Sequence, residues 1–472
     1  MGKVIQALPL QTDRLQASPM RKKILLITYH FPPSQAAGGL RIFNLAKHLP
    51  SFGWDTEVLT VSEKYLEHRD YGRLDRVQNL KIHRTVCLPT ALDIYLNLKS
   101  IWYSLINMRR ITPTGLQKDY VPAHLKTDSK IRLSRVKRFV ISVFLALPDT
   151  ERGWILPAVL KALNVLKKER FDFILTSCPP YSVHLIGLLL NKMTGIPWAA
   201  DFRDPWSRGS RKSLFVTTVA SNRIERILEG HVLKRADLVM TTTQNLCDLL
   251  TDAVLREFGQ SEKKCLCQTN AYDEQAVADT AFIGKYNRFT ITYTGSLYFG
   301  RSPEPVFKAV KQLLSARKIR SNQIKINLVG HCGRVNDMPT ISLINQYNLQ
   351  GIVEVNDLLP YGRSLRMVKK SHLALLLAPD QPLQIPAKTF DYIGAGTPIL
   401  AIAQKGATRD LIQSTCTGEV FEPDDVDGIR EYIQNSIAGK EVFMVSIPES
   451  VRKRFSGRSL AANVAEKINQ CI

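Results

Sequence analysis

Short apolar runs alternate along the first half of the chain with longer segments whose apolar positions recur every three or four residues. Runs that are apolar throughout are typical of strands buried on both faces of a parallel sheet. They lie at 23–29, 55–61, 172–177, 196–201 and 237–242. The segments between them have helical periodicity, and we predict Ser221 as the N-cap of the helix at 221–236. This alternation predicts a doubly wound sheet.

The same pattern starts again after a polar stretch at 269–287. Further strand-like runs lie at 289–295, 324–330, 352–356, 372–377, 398–402 and 418–421. We therefore predict an α/β fold with two Rossmann-like doubly wound domains. The predicted divisions are an N-terminal extension at 1–22, a first domain at 23–275, a second domain at 285–450 and a C-terminal helix at 451–472.

A segment at 97–148 interrupts the first domain. Ten Lys or Arg and two Asp lie between 97 and 140, a net charge of +8, and Trp102, Tyr103 and Phe139 lie among them. Basic and aromatic side chains together favour the surface of an anionic membrane. We predict a basic helical insertion that binds such a surface. The alternative is a basic helical pair packed on its own domain.

The whole chain is basic, with 64 Lys or Arg against 42 Asp or Glu and a net charge of +22. This excess favours anionic partners, but no nucleic-acid-binding motif is present, so nucleic acid is not expected. No apolar run is long enough to span a membrane, and the start does not resemble a signal peptide. The eight scattered cysteines predict reduced thiols. We expect a cytoplasmic protein, peripheral on the inner face of the membrane.

Charged residues follow the apolar run at 196–201. Asp201, Arg203 and Asp204 precede Pro205, which cannot extend the ladder of a strand. Doubly wound sheets bind ligands at the carboxyl ends of their strands. We therefore predict these three charged residues as catalytic. The other interpretation is an Arg–Asp pair that only fixes the loop.

The loop after the first predicted strand ends in a pair of glycines, Gly38 and Gly39, directly before a helix. Backbone N–H groups at such a point can approach a phosphate or sugar oxygen closely. We predict a phosphate-binding or acceptor-binding loop that includes both glycines and Arg41, with His184 as a further candidate. A tight turn would also explain the glycines, and a single histidine is often structural.

No G-x-G-x-x-G follows the strand, which argues against a dehydrogenase.

Four stretches, taken in order, resemble the family-4-like glycosyltransferases of the GT-B fold. They are "TYHFPPSQAAGGLRIFNLAKHLPSFGWDTEVLT", "SCPPYSVHLIGLLLNKMTGIPWAADFRDPW", "YTGSLYFGRSPEP" and "PAKTFDYIGAGTPILAI". The resemblance runs from about residue 22 to the C-terminus and is weakest over 97–148. It implies two domains facing a central cleft. A nucleotide-sugar donor would lie mainly on the second domain and a glycan or lipid-linked acceptor on the first.

The resemblance also implies which residues bind the donor. Relatives use two glutamates eight positions apart, and this chain has Leu383 and Asp391 there. Asp391 can still accept hydrogen bonds from a ribose. Relatives place an Arg and a Lys after the first strand of the second domain, where this chain has Ser296 and Arg301. Lys388 lies one turn before Asp391 and faces the same side of the helix.

Gly295 and Gly396 complete the predicted donor site. Relatives carry a histidine where this chain has Arg203, which argues against a histidine-centred mechanism. The resemblance implies retention of anomeric configuration, no metal, and no cofactor apart from the nucleotide-sugar substrate. It favours an acceptor that is a lipid-linked or surface-polysaccharide precursor.

Three alternatives remain open from the sequence. The protein could be a nucleotide-sugar epimerase, which shares the architecture. It could be a catalytically degenerate sugar-binding subunit, because a glutamate, a histidine and an arginine of the relatives are missing. Finally, Lys388 could simply pair with Asp391 on the helix surface.

Overall fold

The computed structural model describes residues 21–36, 38–90, 93–94, 142, 147–208, 218–258, 265–280, 284–298, 300–336, 338–439 and 447–472. The predicted extension at 1–22 and the predicted insertion at 97–148 lie almost entirely outside these residues. The membrane-binding prediction therefore falls outside the described part of the chain.

Most of the strands agree closely with the apolar runs of the sequence. In the first half they are β1 (Lys22–Ile27), β2 (Trp54–Val61), β3 (Lys81–Thr85), β4 (Phe173–Cys178), β5 (Trp198–Phe202), β6 (Leu238–Thr241) and β7 (Cys265–Cys267). In the second half they are β8 (Phe289–Thr294), β9 (Ile324–Val329), β10 (Arg334–Val335), β11 (Met338–Pro339), β12 (Val353–Asn356), β13 (Leu373–Ala378), β14 (Ile399–Ala403) and β15 (Gly418–Phe421). Of these strands, β3, β7, β10 and β11 were not predicted.

Helices connect most of these strands. In the first half they are α1 (Gly39–His48), α2 (Ile155–Lys168), α3 (Ser182–Thr194), α4 (Val219–Arg235), α5 (Gln244–Phe258) and α6 (Glu274–Ala278). In the second half they are α7 (Glu304–Ser315), α8 (Thr340–Gln346), α9 (Tyr361–Lys370), α10 (Lys388–Ala395), α11 (Ala407–Thr415), α12 (Val426–Ile437), α13 (Glu449–Arg454) and α14 (Gly457–Asn469).

Two parallel sheets organise the molecule, which confirms the prediction of two Rossmann-like units. The first sheet has the order β3-β2-β1-β4-β5-β6-β7, and the second has the order β12-β9-β8-β13-β14-β15. In each sheet the strand order reverses beside the first strand of the unit. The reversal lies between β1 and β4 in the first sheet and between β8 and β13 in the second. A crevice opens at such a switch point, at the carboxyl ends of the strands.

The last helix of the chain, α14, packs on the first sheet rather than the second. Its buried face lies against α1 in the same apolar cluster. This face consists of Leu460, Ala461, Val464, Ala465 and Ile468. The C-terminal segment therefore completes the core of the first unit after the chain has passed through the second.

Some local predictions were wrong. Thr218, not Ser221, is the N-cap of α4, and Ser221 takes the N3 position of a capping box with it. The C-terminal helix is divided into α13 and α14, because Ser456 caps a new helix start. Cys247 and Cys265 form a disulfide with Cα atoms 6.2 Å apart, whereas the sequence predicted reduced thiols.

Candidate active site

The loop after β1 meets Arg203 at the switch point of the first sheet. Arg203 is 8% exposed. Its Nε donates to the carbonyl of Cys178 at 2.6 Å and its Nη2 to the carbonyl of Pro179 at 2.7 Å. A Cβ on Gly38 would lie 2.0 Å from Arg203 Nη1, so only glycine fits here without displacing the guanidinium. The structure thus brings together Gly38, at the start of α1, and Arg203.

Asp201 and Arg41 form a buried ion pair beneath this loop. Arg41 Nε and Nη2 donate to the two carboxylate oxygens at 2.8 and 2.9 Å, and Ser177 adds a hydrogen bond of 2.7 Å. Burial alone would raise the pKa of Asp201, but Arg41 and Ser177 outweigh it and hold the pKa below its usual value. Asp201 lies within β5 and has no exposed surface. Both of its oxygens are occupied by protein groups.

Arg41 also ties α1 to the end of the first sheet. Its Nη1 donates to the carbonyls of Gln268 and Thr269, at 2.9 and 2.8 Å, just after β7. A charge that is buried this completely needs such a full set of partners. Gly39, next to Gly38, packs against the backbone of His30. These contacts make Arg41 part of the framework under the loop.

His184 is placed in the core and not on the surface of the loop. Its ring is fully buried against Phe202, with centroids 4.4 Å apart, and its Nδ1 lies 2.9 Å from Thr176 Oγ1. Burial lowers the pKa of His184 to about 3, so the ring is neutral at ordinary pH. The structure does not bring it to a position where it contacts a ligand of the loop.

Asp204 faces the second domain. Gln384 Nε2 donates to Asp204 Oδ1, and Thr243 Oγ1 donates to the carbonyl of Leu383 at 2.7 Å. The position at which relatives have their first glutamate is therefore a contact between domains. Asp204 is therefore a predicted catalytic residue whose side chain contacts the second domain.

Lys388 lies at the switch point of the second sheet. It begins α10, and its Nζ lies 3.9 Å from the centre of the Tyr293 ring. The ammonium is buried and, among the residues that the structure describes, has no hydrogen-bond partner. Burial, with the nearby charge of Arg301, holds the pKa of Lys388 well below its usual value. A Cβ on Gly295, where φ is +121°, would lie 2.5 Å from this Nζ, so glycine is required beside the cation.

Arg301 lies in the loop after β8, on the other side of the same switch point. It is 5% exposed and stacks on Tyr298, 4.5 Å from the ring centre. Its Nη2 donates to Gln381 Oε1 at 3.2 Å, while its buried Nε has no hydrogen-bond partner in the described part of the chain. Two cations with unused donors thus converge at the carboxyl ends of β8 and β13.

Asp391 does not pair with Lys388. Instead, Tyr361 donates its hydroxyl hydrogen to Asp391 Oδ1 at 2.5 Å. Desolvation raises the pKa of Asp391 to about 6, although Tyr361 and Arg73 act in the opposite direction. The surface ion pair that the sequence allowed is therefore not formed.

Gly396 is separated from the other predicted donor residues. It ends α10 in the left-handed conformation, with φ of +67°, at the opposite end of the helix from Lys388. Over eight residues, an α-helix rises about 12 Å. Gly396 therefore has a conformational role in ending α10.

The sequence reasoning missed two residues near this site, Tyr361 and Arg73. Neither lies in a stretch that carries the resemblance. Tyr361 begins α9 after the loop that follows β12, and Arg73 lies within the 3-10 helix Tyr71–Val77. The only available signal was the proline before Tyr361, which favours the start of a helix.

Within the described ranges, no group of three or more His, Cys, Asp or Glu side chains is placed to hold a metal ion. No helix in the part of the chain that the structure describes is long and apolar enough to cross a membrane.

Comparison with known proteins identifies the fold. No family model and no curated protein matches the sequence. Among solved structures, sucrose-phosphate synthase from Thermosynechococcus elongatus aligns with a TM-score of 0.61 and 14% identity, over 95% of this chain and 99% of that chain. Anabaena HepE in complex with UDP-glucose aligns with a TM-score of 0.56 and 13% identity, over 95% and 99%. The apo galactosyltransferase WaaB of the lipopolysaccharide outer core aligns with a TM-score of 0.53 and 12% identity, over 95% and 100%. With its two Rossmann-like sheets in the same arrangement along nearly the whole chain, this protein has the GT-B fold.

Proposed function

We propose that this protein is a glycosyltransferase that moves a sugar from a nucleotide-sugar donor to an acceptor. The observation that carries the proposal is the convergence of Lys388 and Arg301 at the switch point of the second sheet. A buried ammonium that makes neither a hydrogen bond nor an ion pair is costly, and an anionic ligand would remove that cost. The diphosphate of a nucleotide sugar is such a ligand. HepE, which shares the fold, was solved with UDP-glucose.

The two cations would act on the departing diphosphate. Breaking the bond between sugar and phosphate builds negative charge on the leaving group. Cations already fixed in a desolvated site stabilise that charge more in the transition state than in the bound donor. Lys388 also lies in the first turn of α10, whose N-terminus favours an anion. Asp391 would accept a hydrogen bond from the ribose, and Gly295 would leave room beside the diphosphate.

The first domain would supply the acceptor side of the cleft. Arg203, with Gly38 and Gly39 at the start of α1, would contact the transferred sugar or an oxygen of the acceptor. Asp204 is the carboxylate best placed for a catalytic role, because it faces the second domain through Gln384. Asp201, whose oxygens are occupied by Arg41 and Ser177, would act as a positioning residue.

The test of the proposal is the turnover of Arg301→Ala and Lys388→Ala in an assay saturated with donor. A thermal-shift screen of nucleotide diphosphate sugars first identifies the donor. Each variant should then lose about 100- to 1000-fold in turnover while remaining folded. Lys308→Ala is the matched control, because Lys308 is exposed and pairs only with Glu304.

Other outcomes would identify the alternatives. Near wild-type turnover in both variants would refute the diphosphate assignment. An isomerised sugar from donor alone would identify an epimerase. Donor binding with no turnover in the wild type would identify a sugar-binding subunit.

The proposal includes retention of anomeric configuration and independence of metal, both of which rest on the resemblance. Side-chain cations at the diphosphate make a metal unnecessary for charge neutralisation. Activity should therefore survive EDTA, and NMR of the fresh product should show the anomeric configuration of the donor. Loss of activity in EDTA with recovery in magnesium or manganese would contradict the metal independence.

The proposed acceptor is a lipid-linked or surface-polysaccharide precursor, reached at the inner face of a membrane through the basic segment 97–148. The support is the charge of +8 between 97 and 140, because each basic residue near an anionic leaflet contributes on the order of 1 kcal/mol. Liposome flotation should show binding to anionic vesicles that weakens in salt. Equal binding to neutral and anionic vesicles would refute it.

A further inference from the structure

The carboxylate proposed to bind the ribose is held by a phenol hydroxyl. Tyr361 begins α9, which packs against α10, and its hydroxyl donates to Asp391 Oδ1 at 2.5 Å. A hydrogen bond to an ionised carboxylate is stronger than one between neutral groups. It uses one oxygen, so the other remains able to accept from a ligand. Because an aspartate side chain is shorter than that of a glutamate, the orientation of the Asp391 carboxylate decides whether it can reach a ligand.

Tyr361 is itself held by the first domain. Its backbone N–H donates to Asp70 Oδ2 at 3.1 Å, and the guanidinium carbon of Arg73 lies 4.0 Å from the centre of its ring. Asp70 caps the short 3-10 helix Tyr71–Val77, which contains Arg73. The ring also packs against apolar clusters of both domains. Asp391 is thus connected to the first domain through one side chain.

Opposing effects act on the charge of Asp391. Burial, with Asp273, opposes the ionised form and raises the pKa, whereas the hydrogen bond from Tyr361 and the charges of Arg73 and Lys388 favour that form. No ion pair within the described residues neutralises Asp391 directly. The hydrogen bond from Tyr361 both orients the carboxylate and stabilises its charge.

We infer that Tyr361 is a positioning residue that fixes Asp391 for the ribose of the donor and links donor binding to the contact between the two domains. The inference rests on the proposed function, since it takes Asp391 as the group that binds the ribose. It predicts that removing the phenol hydroxyl weakens recognition of the ribose hydroxyls specifically.

The experiment compares full-length wild type with Tyr361→Phe by calorimetric titration. UDP, GDP and ADP are titrated first, and the tightest is carried forward with its 2′-deoxy and 3′-deoxy forms. Wild type should bind at least one deoxy form about 10- to 100-fold more weakly, as expected for loss of a hydrogen bond to a charged group. In Tyr361→Phe, the ratio of the affinities for the nucleotide and its deoxy form should fall by at least about threefold. The KM for the donor should rise, while turnover should stay within about twofold of wild type.

Two further variants distinguish a specific effect on ribose recognition from a general disturbance of the structure. Tyr347→Phe is the matched control, because Tyr347 donates to Glu304 Oε1 at 2.7 Å outside the site, and it should bind as wild type does. Arg73→Met removes the contact of the guanidinium with the Tyr361 ring, one of the contacts between Tyr361 and the first domain, and should reduce the discrimination in the same direction as Tyr361→Phe.

The outcomes separate the inference from the proposed function. If Asp391→Asn keeps the full discrimination, or if none of the three nucleotides binds, the ribose assignment fails and the inference fails with it. If Asp391→Asn loses the discrimination while Tyr361→Phe and Arg73→Met keep it, only the inference is overturned.

Discussion

At the scale of single residues, the second domain holds two charged groups, Lys388 and Asp391, that form no ion pair within the described part of the chain. Such groups cost stability in the free protein. Strained or costly side chains are typical of functional sites. A ligand that carries phosphate and hydroxyl groups would satisfy both residues together.

Asp391→Asn should make the protein more stable while weakening donor binding. The pKa of Asp391 is raised to about 6, above that of an aspartate in an unfolded chain. The ionised group therefore costs stability above that pKa, and the cost disappears as the pH falls towards about 4. At about pH 7.5 the variant should gain about 1 kcal/mol or more in the free energy of unfolding. Denaturant titrations at both pH values check this, and an equal gain at both would contradict it.

At the scale of secondary-structure elements, the ion pair of Arg41 and Asp201 joins α1 to β5 at a point 160 residues apart in sequence. Its surroundings are dry, and Arg41 is 2% exposed. The cost of desolvating both charges offsets much of the attraction within such a buried pair. Removing one partner leaves the other as an uncompensated buried charge.

Asp201→Asn should therefore lower the free energy of unfolding by about 3–5 kcal/mol. The matched control is Asp55→Asn, which breaks the exposed pair with Arg21 and should cost less than about 1 kcal/mol. Denaturant unfolding of both variants measures the difference. An Asp201→Asn protein of normal stability but without activity would instead support the catalytic role predicted from the sequence.

At the scale of the whole molecule, the C-terminal helix α14 belongs to the core of the first domain. A mutation near the end of the chain should therefore act on strands near its start. Ile468 is fully buried, and Ile468→Ala should cost about 2–5 kcal/mol. Hydrogen exchange of β1 and β2 amides should accelerate, because these strands share a cluster with α14. Ile472→Ala, at a side chain 47% exposed, is the control. Protection unchanged in Ile468→Ala would refute this link.

The apolar patterns predicted the central strands of both sheets because those strands are buried on both faces and must be apolar throughout. The edge strands β3, "KIHRT", and β7, "CLC", were missed. An edge strand has only one neighbour and can be polar or very short. The order of the central elements, and from it the two Rossmann-like units, could therefore be predicted. The edge strands β12 and β15 of the second sheet were also predicted, whereas the edge strands of the first sheet were not.

The sequence by itself determined most of the central strands and the helices between them. It also determined that Gly38 lies directly before a helix, that Gly295 and Arg301 follow the first strand of the second domain, and that Lys388 lies in a helix. These are local properties, set by periodicity and by the conformational freedom of glycine. Only the tertiary structure decided that Asp201 forms an ion pair with Arg41, that His184 lies in the core and that Tyr361 donates a hydrogen bond to Asp391. These contacts form between residues that are not neighbours in sequence. The sequence pattern does not show which buried polar groups will meet once the chain has folded.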